Sequence, residues 1–267
     1  MSPEARRHGT VSGGNDQAES HWDERLRRAL EQDGFALHQQ PIVDLRTGRI
    51  LRHELLLRLV EGDRVTPTSE FLDAATRHGP IVEIDLWVTD RAIEIAAGCK
   101  PVTMNLASQS ITPAFVEQVR ERLVDTGANP ANLTFELGEA DLVKAEADAR
   151  EFLWSLKDLG FVLAVDQFGT GPAELATLRS LPVGYLKLGR EFARDLSREP
   201  ASRTAIEAIV QPARRFGSRT VAVGVEDLAT LQTLEELGAD EAQGYALGAP
   251  APVEPERFKP AESSAAA

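Results

Sequence analysis

Residues 35–57, FALHQQPIVDLRTGRILRHELLL, contain two apolar segments joined by a short connection with Thr47-Gly48 at its centre. A polar residue followed by glycine is typical of a turn between strands. The connection is too short for the helical crossover that two parallel strands need. We therefore predict that Phe35–Ile42 and Ile50–Leu57 form an antiparallel hairpin.

Beyond this hairpin, short apolar runs alternate with longer segments of helical periodicity. Six further candidate strands are Val102–Leu106, Leu133–Leu137, Val162–Asp166, Tyr185–Leu188, Thr220–Val225 and Ala242–Ala246. The candidate helices are Glu70–His78, Glu83–Ala97, Pro113–Thr126, Leu142–Leu159, Ala173–Leu181, Arg190–Phe216 and Leu228–Leu237. Strands at this spacing predict an α/β fold, a modified (β/α)8 TIM-like barrel with one antiparallel strand.

The length of 267 residues suits a single barrel, because this fold takes about 250 residues. Residues 1–20 are polar and rich in glycine and serine, so they bury too little surface to offset the entropy of ordering. We predict a disordered tail at 1–20, a barrel domain at 21–258 and a second disordered tail at 259–267.

The chain is acidic, with a formal net charge of −13 at pH 7. Such a surface repels a phosphate backbone over most of its area, so general nucleic-acid binding is not expected. A small phosphorylated ligand remains compatible with the composition, because a metal ion or a local arginine can reverse the field at one site.

The single cysteine, Cys99, cannot form an internal disulfide, which suits a reducing compartment. It ends an apolar helical pattern, and we interpret it as a passive residue. No apolar run approaches the ~20 residues that span a bilayer, and the N-terminus has no apolar signal segment. We expect a cytoplasmic protein without membrane contact.

Polar or ionisable residues interrupt the ends of the candidate strands. One such residue is most simply a solvated strand end. About one polar residue per βα unit is harder to explain by solvation alone. The carboxyl ends of barrel strands converge on one mouth, which is where barrel enzymes have their active sites. The residues are Glu54, Asn105, Glu136, Asp166, Lys187, Glu226 and Gln243.

The first four of these residues offer only oxygen ligands, which suit hard divalent cations such as Mg²⁺, Mn²⁺ or Ca²⁺. The sequence contains no histidine or cysteine cluster at zinc spacing. Gly169 and Gly171 permit a tight loop near a ligand, although an ordinary turn explains them equally well. Arg58 could hold a phosphate or form a surface ion pair, and its position alone does not decide between the two.

The ordered motifs of the chain resemble those of the EAL domain, the cyclic-di-GMP phosphodiesterase family, over about residues 35–252. They are Gln40-Pro41-Ile42-Val43-Asp44, Glu54-Leu55-Leu56, Met104-Asn105-Leu106-Ala107-Ser108, Glu136-Leu137-Gly138-Glu139, Asp166-Gln167-Phe168-Gly169-Thr170-Gly171, Leu186-Lys187-Leu188-Gly189, Ala222-Val223-Gly224-Val225-Glu226 and Gln243-Gly244-Tyr245. Active members of the family use two divalent metals and a glutamate base to hydrolyse one phosphodiester of cyclic-di-GMP. The resemblance implies the same barrel with one antiparallel strand.

The resemblance also implies a role for each matched position. The implied metal ligands are Glu54, Asn105, Glu136 and Asp166. The implied catalytic residues are Lys187, which would orient the water, and Glu226, which could serve as an alternative base. The implied ligand-binding residues are Gln40, Arg58, Glu139, which would brace the loop after the fifth strand of the family register, and Gln243, which with Glu226 would line the second-metal side.

Three departures from the family pattern argue against hydrolysis. Gln167 stands where the family has the second Asp of Asp-Asp, and an amide is a poor bridge between two cations. Val223 stands at the expected position of the base and cannot accept a proton. Gly189 replaces the Asp of Leu-Lys-Ile-Asp. A general base alone typically contributes 10²–10⁴-fold in rate, or about 3–5 kcal/mol.

These observations leave three functions open. The favoured one is a regulatory protein that binds cyclic-di-GMP, without significant hydrolysis, and signals to a protein partner. The second is an adaptor that binds a protein and no nucleotide, and the third is a weak metal-dependent phosphodiesterase. A single Mg²⁺ or Mn²⁺ site, or none, is expected, and a homodimer is compatible with each function.

Overall fold

The computed structural model describes residues 13–253 except 78, 145, 172–180, 195, 197 and 198, and it leaves the side chains of residues 13–20 and 143–148 undescribed. Ten strands are described: β1 (Phe35–Asp44), β2 (Ile50–Glu61), β3 (Arg64–Pro67), β4 (Val102–Asn105), β5 (Leu133–Gly138), β6 (Val162–Phe168), β7 (Tyr185–Leu188), β8 (Arg219–Val223), β9 (Glu241–Gln243) and β10 (Ala251–Pro252).

The described helices surround these strands. They are α1 (Gly13–Glu31), α2 (Leu72–Arg77), α3 (Ile81–Ala97), α4 (Pro113–Thr126), α5 (Glu139–Lys144), α6 (Glu146–Asp158), α7 (Arg190–Arg194), α8 (Pro200–Arg215) and α9 (Leu228–Glu236). Short 3₁₀ segments lie at Thr68–Glu70, Ser108–Ser110 and Pro130–Asn132. No helix in the described ranges is both long and apolar enough to cross a bilayer.

Eight of the strands close into a barrel in the order β1-β2-β4-β5-β6-β7-β8-β9 and back to β1. Strand β1 is antiparallel to both of its neighbours, with Gln40 opposite Glu54 and Val43 opposite Ala242. The remaining neighbours in the ring run parallel. The predicted fold class and the predicted hairpin are therefore confirmed.

Local sequence signals explain where helix α4 begins and ends. The Thr112 side chain accepts a hydrogen bond from the Phe115 amide at 3.2 Å, and Pro113 occupies the first turn. Proline is favoured there because its missing amide hydrogen has no intrahelical partner to lose. Gly127 ends the helix with φ 62°, a left-handed conformation that glycine adopts without steric cost.

A charged cluster lies at the lower end of the barrel, where the parallel strands begin. Buried Arg52 forms an ion pair with buried Glu241 at 2.6 Å, and its guanidinium lies 3.8 Å from the centroid of the Tyr185 ring. Arg219 contacts Glu241 at 2.8 Å and Asp44 at 3.0 Å. These ion pairs join β1, β2, β8 and β9 at that end of the barrel.

The predicted helices differ from the observed ones in two places. One helix over Arg190–Phe216 is wrong: α7 ends at Arg194, and α8 begins at Pro200. Proline cannot continue a helix but suits its first turn, which accounts for the new start. The segment predicted as Leu142–Leu159 begins earlier, at Glu139, and its two parts flank residue 145.

Other predictions fall partly or wholly outside the described residues. The helix predicted at Ala173–Leu181 lies almost entirely within 172–180, and the tail predicted at 259–267 lies beyond residue 253. Helix α1 begins at Gly13, inside the range 1–20 that composition assigns to a tail. Strands β3 and β10, which extend the sheet beside β2 and β1, were not predicted.

Gly244 allows the chain after β9 to pack directly on the backbone that follows β8. A Cβ atom at Gly244 would lie 2.1 Å from the Val225 carbonyl oxygen and 2.3 Å from its amide nitrogen. We predict that Gly244→Ala lowers the free energy of unfolding by at least ~3 kcal/mol, the upper range for overpacking. Urea denaturation would measure it.

The control for this change is Gly62→Ala. Gly62 has φ 59° and no atom within 4 Å of a hypothetical Cβ, so only backbone strain of about 1–2 kcal/mol is expected. Equal losses for the two variants would contradict the close approach at Gly244.

Candidate functional site

A buried lysine lies between carboxylates inside the upper half of the barrel. The Lys187 ammonium is 2.9 Å from Glu54 Oε2, 2.5 Å from Glu136 Oε2 and 3.9 Å from Asp166 Oδ1. Lys187 is 3% exposed and Glu136 is 2% exposed. We call Lys187, Glu54, Glu136 and Asp166 the Lys187 cluster; it gathers three carboxyl groups around one ammonium.

The strands explain why these side chains meet. Lys187, Glu136 and Glu54 come from β7, β5 and β2, and side chains at alternate positions of a barrel strand point into its interior. Glu54 lies within β2 and not at its end, because that strand continues to Glu61 beside β3. The predicted strand ended at Leu57, four residues short of the end of β2, so Glu54 lies further from the strand end than predicted.

The charges within the cluster shift the pKa values of its members. Burial alone would raise the pKa of Glu54, but Lys187 and hydrogen bonds from Gln243 and Asn105 lower it overall. Burial raises the pKa of Glu136 to about 7 despite the opposing effect of Lys187. Burial would lower the pKa of Lys187, but the Glu136 and Glu54 carboxylates raise it well above its usual value. Lys187 is therefore charged at neutral pH.

Protein donors occupy each carboxylate oxygen of Glu54 and Glu136. Asn105 Nδ2 donates to Glu54 Oε1 at 2.8 Å, and Gln243 Nε2 donates to Glu54 Oε2 at 2.7 Å. The Thr103 hydroxyl donates to Glu136 Oε1 at 2.7 Å. With the two contacts from Lys187, these bonds satisfy both buried carboxylates without any further group.

The same oxygens are the ones expected to bind a metal ion. Their chemistry fits a hard divalent cation, since Glu54, Glu136 and Asp166 supply carboxylates and Asn105 supplies an amide. However, Lys187 already takes one oxygen from each of the two buried glutamates. Among the described residues, no group of three or more His, Cys, Asp or Glu side chains is arranged to hold a metal ion.

Gln40 and Gln243 continue the hydrogen-bond network toward the antiparallel strand. Gln243 Nε2 also lies 3.2 Å from Gln40 Oε1, and Gln40 Nε2 donates to the Gly248 carbonyl at 3.0 Å. Both side-chain amides therefore have partners within the protein, and both line the open end of the barrel.

Glu139 fastens the loop that follows β6. Its Oε2 atom accepts hydrogen bonds from the Gly169 amide at 3.0 Å and the Gly171 amide at 2.9 Å. Gly169 has φ 87°, which favours glycine, and a Cβ at Gly171 would lie 3.0 Å from the Glu139 carboxyl carbon. Glu139 therefore holds two backbone amides of this loop.

The three residues that depart from the family pattern lie around this loop and the barrel mouth. Gln167 lines the mouth with φ 57°, and Val223 ends β8 opposite Gln243 of β9. A Cβ at Gly189 would lie 2.2 Å from Thr170 Cγ2 and 2.8 Å from Glu191 Oε2. The loop and Glu191 therefore fill the space that a side chain at residue 189 would need.

A cleft of about 840 Å³ opens above the Lys187 cluster. This volume is within the range of about 300–1,000 Å³ that is typical of small-molecule sites. Its basic residues are Arg58, Lys187, Arg190 and Arg194; its acidic residues are Glu54, Asp166, Glu191 and Glu226; its other lining residues include Gln40, Gln167, Val223, Gln243 and Tyr245.

Arg58 and Glu226, two of the predicted residues, lie at the rim of this cleft. Arg58 donates to the Leu57 carbonyl at 2.8 Å, and no ion pair with a carboxylate holds it among the described residues. Burial lowers the pKa of Arg58, while Tyr245 opposes that shift. Glu226 is exposed beyond β8 and lies outside the hydrogen-bond network of the Lys187 cluster.

Two positioning residues were missed by the sequence analysis. Thr103 precedes Asn105 by two positions on β4, so the period of a strand could have placed both on one face. Asp85 is buried on α3 and accepts hydrogen bonds from the Ala107 amide at 2.9 Å and the Ser110 hydroxyl at 2.6 Å. Burial raises its pKa to about 7, and its contacts fix the segment after Asn105.

Curated relatives resemble most of this chain. MucR, a bifunctional diguanylate cyclase/cyclic di-GMP phosphodiesterase of Pseudomonas aeruginosa, is 32% identical over 239 residues, which cover 86% of this chain and 35% of MucR. The signaling protein YkoW of Bacillus subtilis is 30% identical over 242 residues, covering 88% of this chain and 30% of YkoW. The chain therefore spans only about a third of the length of these relatives.

Solved structures resemble the fold closely. The PaMucR phosphodiesterase in its c-di-GMP complex superposes with a TM-score of 0.83 at 30% identity and covers 88% of this chain and 98% of that one. The FimX EAL domain from Pseudomonas aeruginosa bound to c-di-GMP gives a TM-score of 0.81 at 28% identity, covering 86% and 96%.

The sequence model described as the EAL domain matches residues 23–250 of this chain. This range contains every strand of the closed barrel and every member of the Lys187 cluster. The chain therefore belongs to the EAL domain family of cyclic-di-GMP signalling proteins.

Proposed function

We propose that this chain is a regulatory protein that binds cyclic-di-GMP in the mouth cleft without significant hydrolysis. One observation carries the proposal: Val223 and Gln167 line the cleft at the positions where the family pattern has carboxylates, while Arg58 and the Lys187 cluster are present. This chain thus keeps residues that can bind the ligand and lacks two carboxylates that hydrolysis needs.

The cleft offers what a guanine nucleotide needs for binding. Arg58 can donate to a phosphate oxygen at the rim, a charge-assisted contact that a partly buried setting strengthens. The Tyr245 ring is 68% exposed and can offer an apolar face to a base. Two structures similar to this chain hold cyclic-di-GMP, which supports the same ligand class here.

The groups needed for hydrolysis are incomplete. Val223 cannot take a proton from water, and Gln167 carries no charge to bridge two cations. These features favour a receptor over an enzyme.

A single divalent ion, Mg²⁺ or Mn²⁺, is compatible with the proposal but is not required by it. Glu54, Asn105, Glu136 and Asp166 would hold such an ion, and when bound it would polarise a phosphate oxygen. In this chain the three carboxylates of this set surround Lys187, whose positive charge already offsets part of their negative charge.

A receptor without turnover needs an output, and we propose a protein partner for that role. The alternative of a protein-binding adaptor that takes no nucleotide predicts that the cleft residues are irrelevant to its activity. Calorimetry with cyclic-di-GMP distinguishes these two functions, because only the receptor binds the nucleotide.

We predict that Arg58→Ala weakens cyclic-di-GMP binding by roughly tenfold or more. A hydrogen bond to a charged group contributes roughly 1.5–3 kcal/mol, and about 1.4 kcal/mol is a factor of ten in affinity. Val223→Ala is the matched control, because Val223 lines the same cleft without a polar group and its truncation should change the affinity little. Isothermal titration measures both variants.

Two results of this titration would count against the receptor. No binding by the wild-type chain at high micromolar ligand would reject it in favour of the adaptor. Equal affinities for wild type and Arg58→Ala would remove Arg58 from the site.

We also predict that Val223→Glu combined with Gln167→Asp raises phosphodiesterase activity clearly, and that either single change gives less. A base and a bridging carboxylate act as one unit, so their effects are not additive. Aspartate adopts the left-handed conformation of residue 167 readily, which favours this exchange. Chromatography of linear pGpG with Mg²⁺ or Mn²⁺ would measure the product.

Glu226→Gln added to the single variant Gln167→Asp, in which residue 223 is still Val, tests whether Glu226 acts as an alternative base. Unchanged activity would exclude Glu226, whereas loss of activity would assign it a part in proton transfer. A double variant that folds, binds the ligand and forms no product would show that the defect lies elsewhere, with Gly189 and its close contact to Thr170 as the first candidate.

A further inference from the structure

Two arginines flank the cleft from opposite walls of the barrel. Arg58 lies on β2, and Arg190 begins α7, one residue after the end of β7. In the closed order of eight strands, β2 and β7 are four places apart in either direction, so they face each other across the barrel axis. Both arginines line the same cleft.

Arg190 is available to a ligand. Among the described residues, no hydrogen bond or ion pair holds its guanidinium, and the residue is exposed. Its backbone is fixed beside the β8 end, because a Cβ at Gly224 would lie 3.2 Å from Arg190 Cβ. Arg194, which also lines the cleft, has an interaction of its own and is not needed for the argument.

Gly189 adds no charge of its own beside Arg190. A carboxylate at residue 189 would stand next to Arg190 in the chain, whereas Gly189 has no side chain. Glu191, whose Oε2 atom would lie 2.8 Å from a Cβ at residue 189, also lines the cleft, so Arg190 shares the β7 side of the mouth with one carboxylate.

We propose that Arg58 and Arg190 form a two-point clamp for a ligand that carries two phosphodiester groups on opposite sides of one ring. This inference rests on the proposed function and makes it more specific, because a cyclic dinucleotide has such a pair of anions and a mononucleotide has only one. Two separated guanidinium groups can each pair with one phosphate, and a chain of net charge −13 needs such local cations to attract a dianion.

The experiment is isothermal titration of cyclic-di-GMP into the full chain and three variants. Arg190→Ala is expected to weaken binding by roughly tenfold or more, because a charged hydrogen bond is lost. Arg190→Lys keeps the positive charge and is expected to retain most of the affinity. Arg120→Ala is the charge control: this arginine is exposed on α4, away from the cleft, and pairs with Glu117. It should bind as wild type does.

Each outcome of the titration either supports or overturns the proposed clamp. Loss in Arg190→Ala with rescue in Arg190→Lys supports it, provided that the unfolding midpoint of Arg190→Ala is unchanged. Affinity of Arg190→Ala within twofold of wild type, while Arg58→Ala binds weakly, overturns the clamp and leaves the proposed function intact. Equal losses in Arg190→Ala and Arg120→Ala overturn it in favour of bulk charge, and no binding by wild type overturns both proposals.

Discussion

The ion contact between Lys187 and the carboxylates of Glu54 and Glu136 is the constraint on which the barrel mouth depends. Glu54 and Lys187 come from strands on opposite walls, so their 2.9 Å contact spans the interior. Buried charges are costly unless each is paired, and removal of one partner of such a pair typically costs about 3–5 kcal/mol. The surrounding donors from Asn105 and Thr103 follow from this need, because every oxygen taken out of water requires a partner.

This constraint explains how a barrel of this kind can keep ligand binding after hydrolysis is lost. The charged cluster holds the mouth in shape from within, whereas proton transfer depends on single side chains at the rim. Val223 and Gln167 belong to that rim, and neither contributes to the network around Lys187. Loss of carboxylates there leaves the fold and the arginines of the cleft in place, so the surface that meets a ligand can persist without the chemistry.

The sequence predicted the barrel because strand periodicity and the length of the β1–β2 connection are local signals. It also led to the expectation that polar residues near the strand ends share one mouth, since strand ends of one barrel converge. It could not predict that Lys187 would contact Glu54 and Glu136 directly, because spacing does not give distances across the interior. Asp85 was not predicted as a site residue because it is a single carboxylate in an apolar helix. Arg190 was not predicted because it was assigned to one long helix, which Pro200 divides.

The most direct test of ligand binding without turnover is to incubate the chain with cyclic-di-GMP and Mg²⁺, separate bound from free nucleotide, and identify both by chromatography. The account predicts intact cyclic-di-GMP in the protein fraction and negligible linear pGpG at enzyme levels where active relatives finish quickly. Appearance of pGpG at rates near those relatives, or no nucleotide retained with the protein, would contradict it.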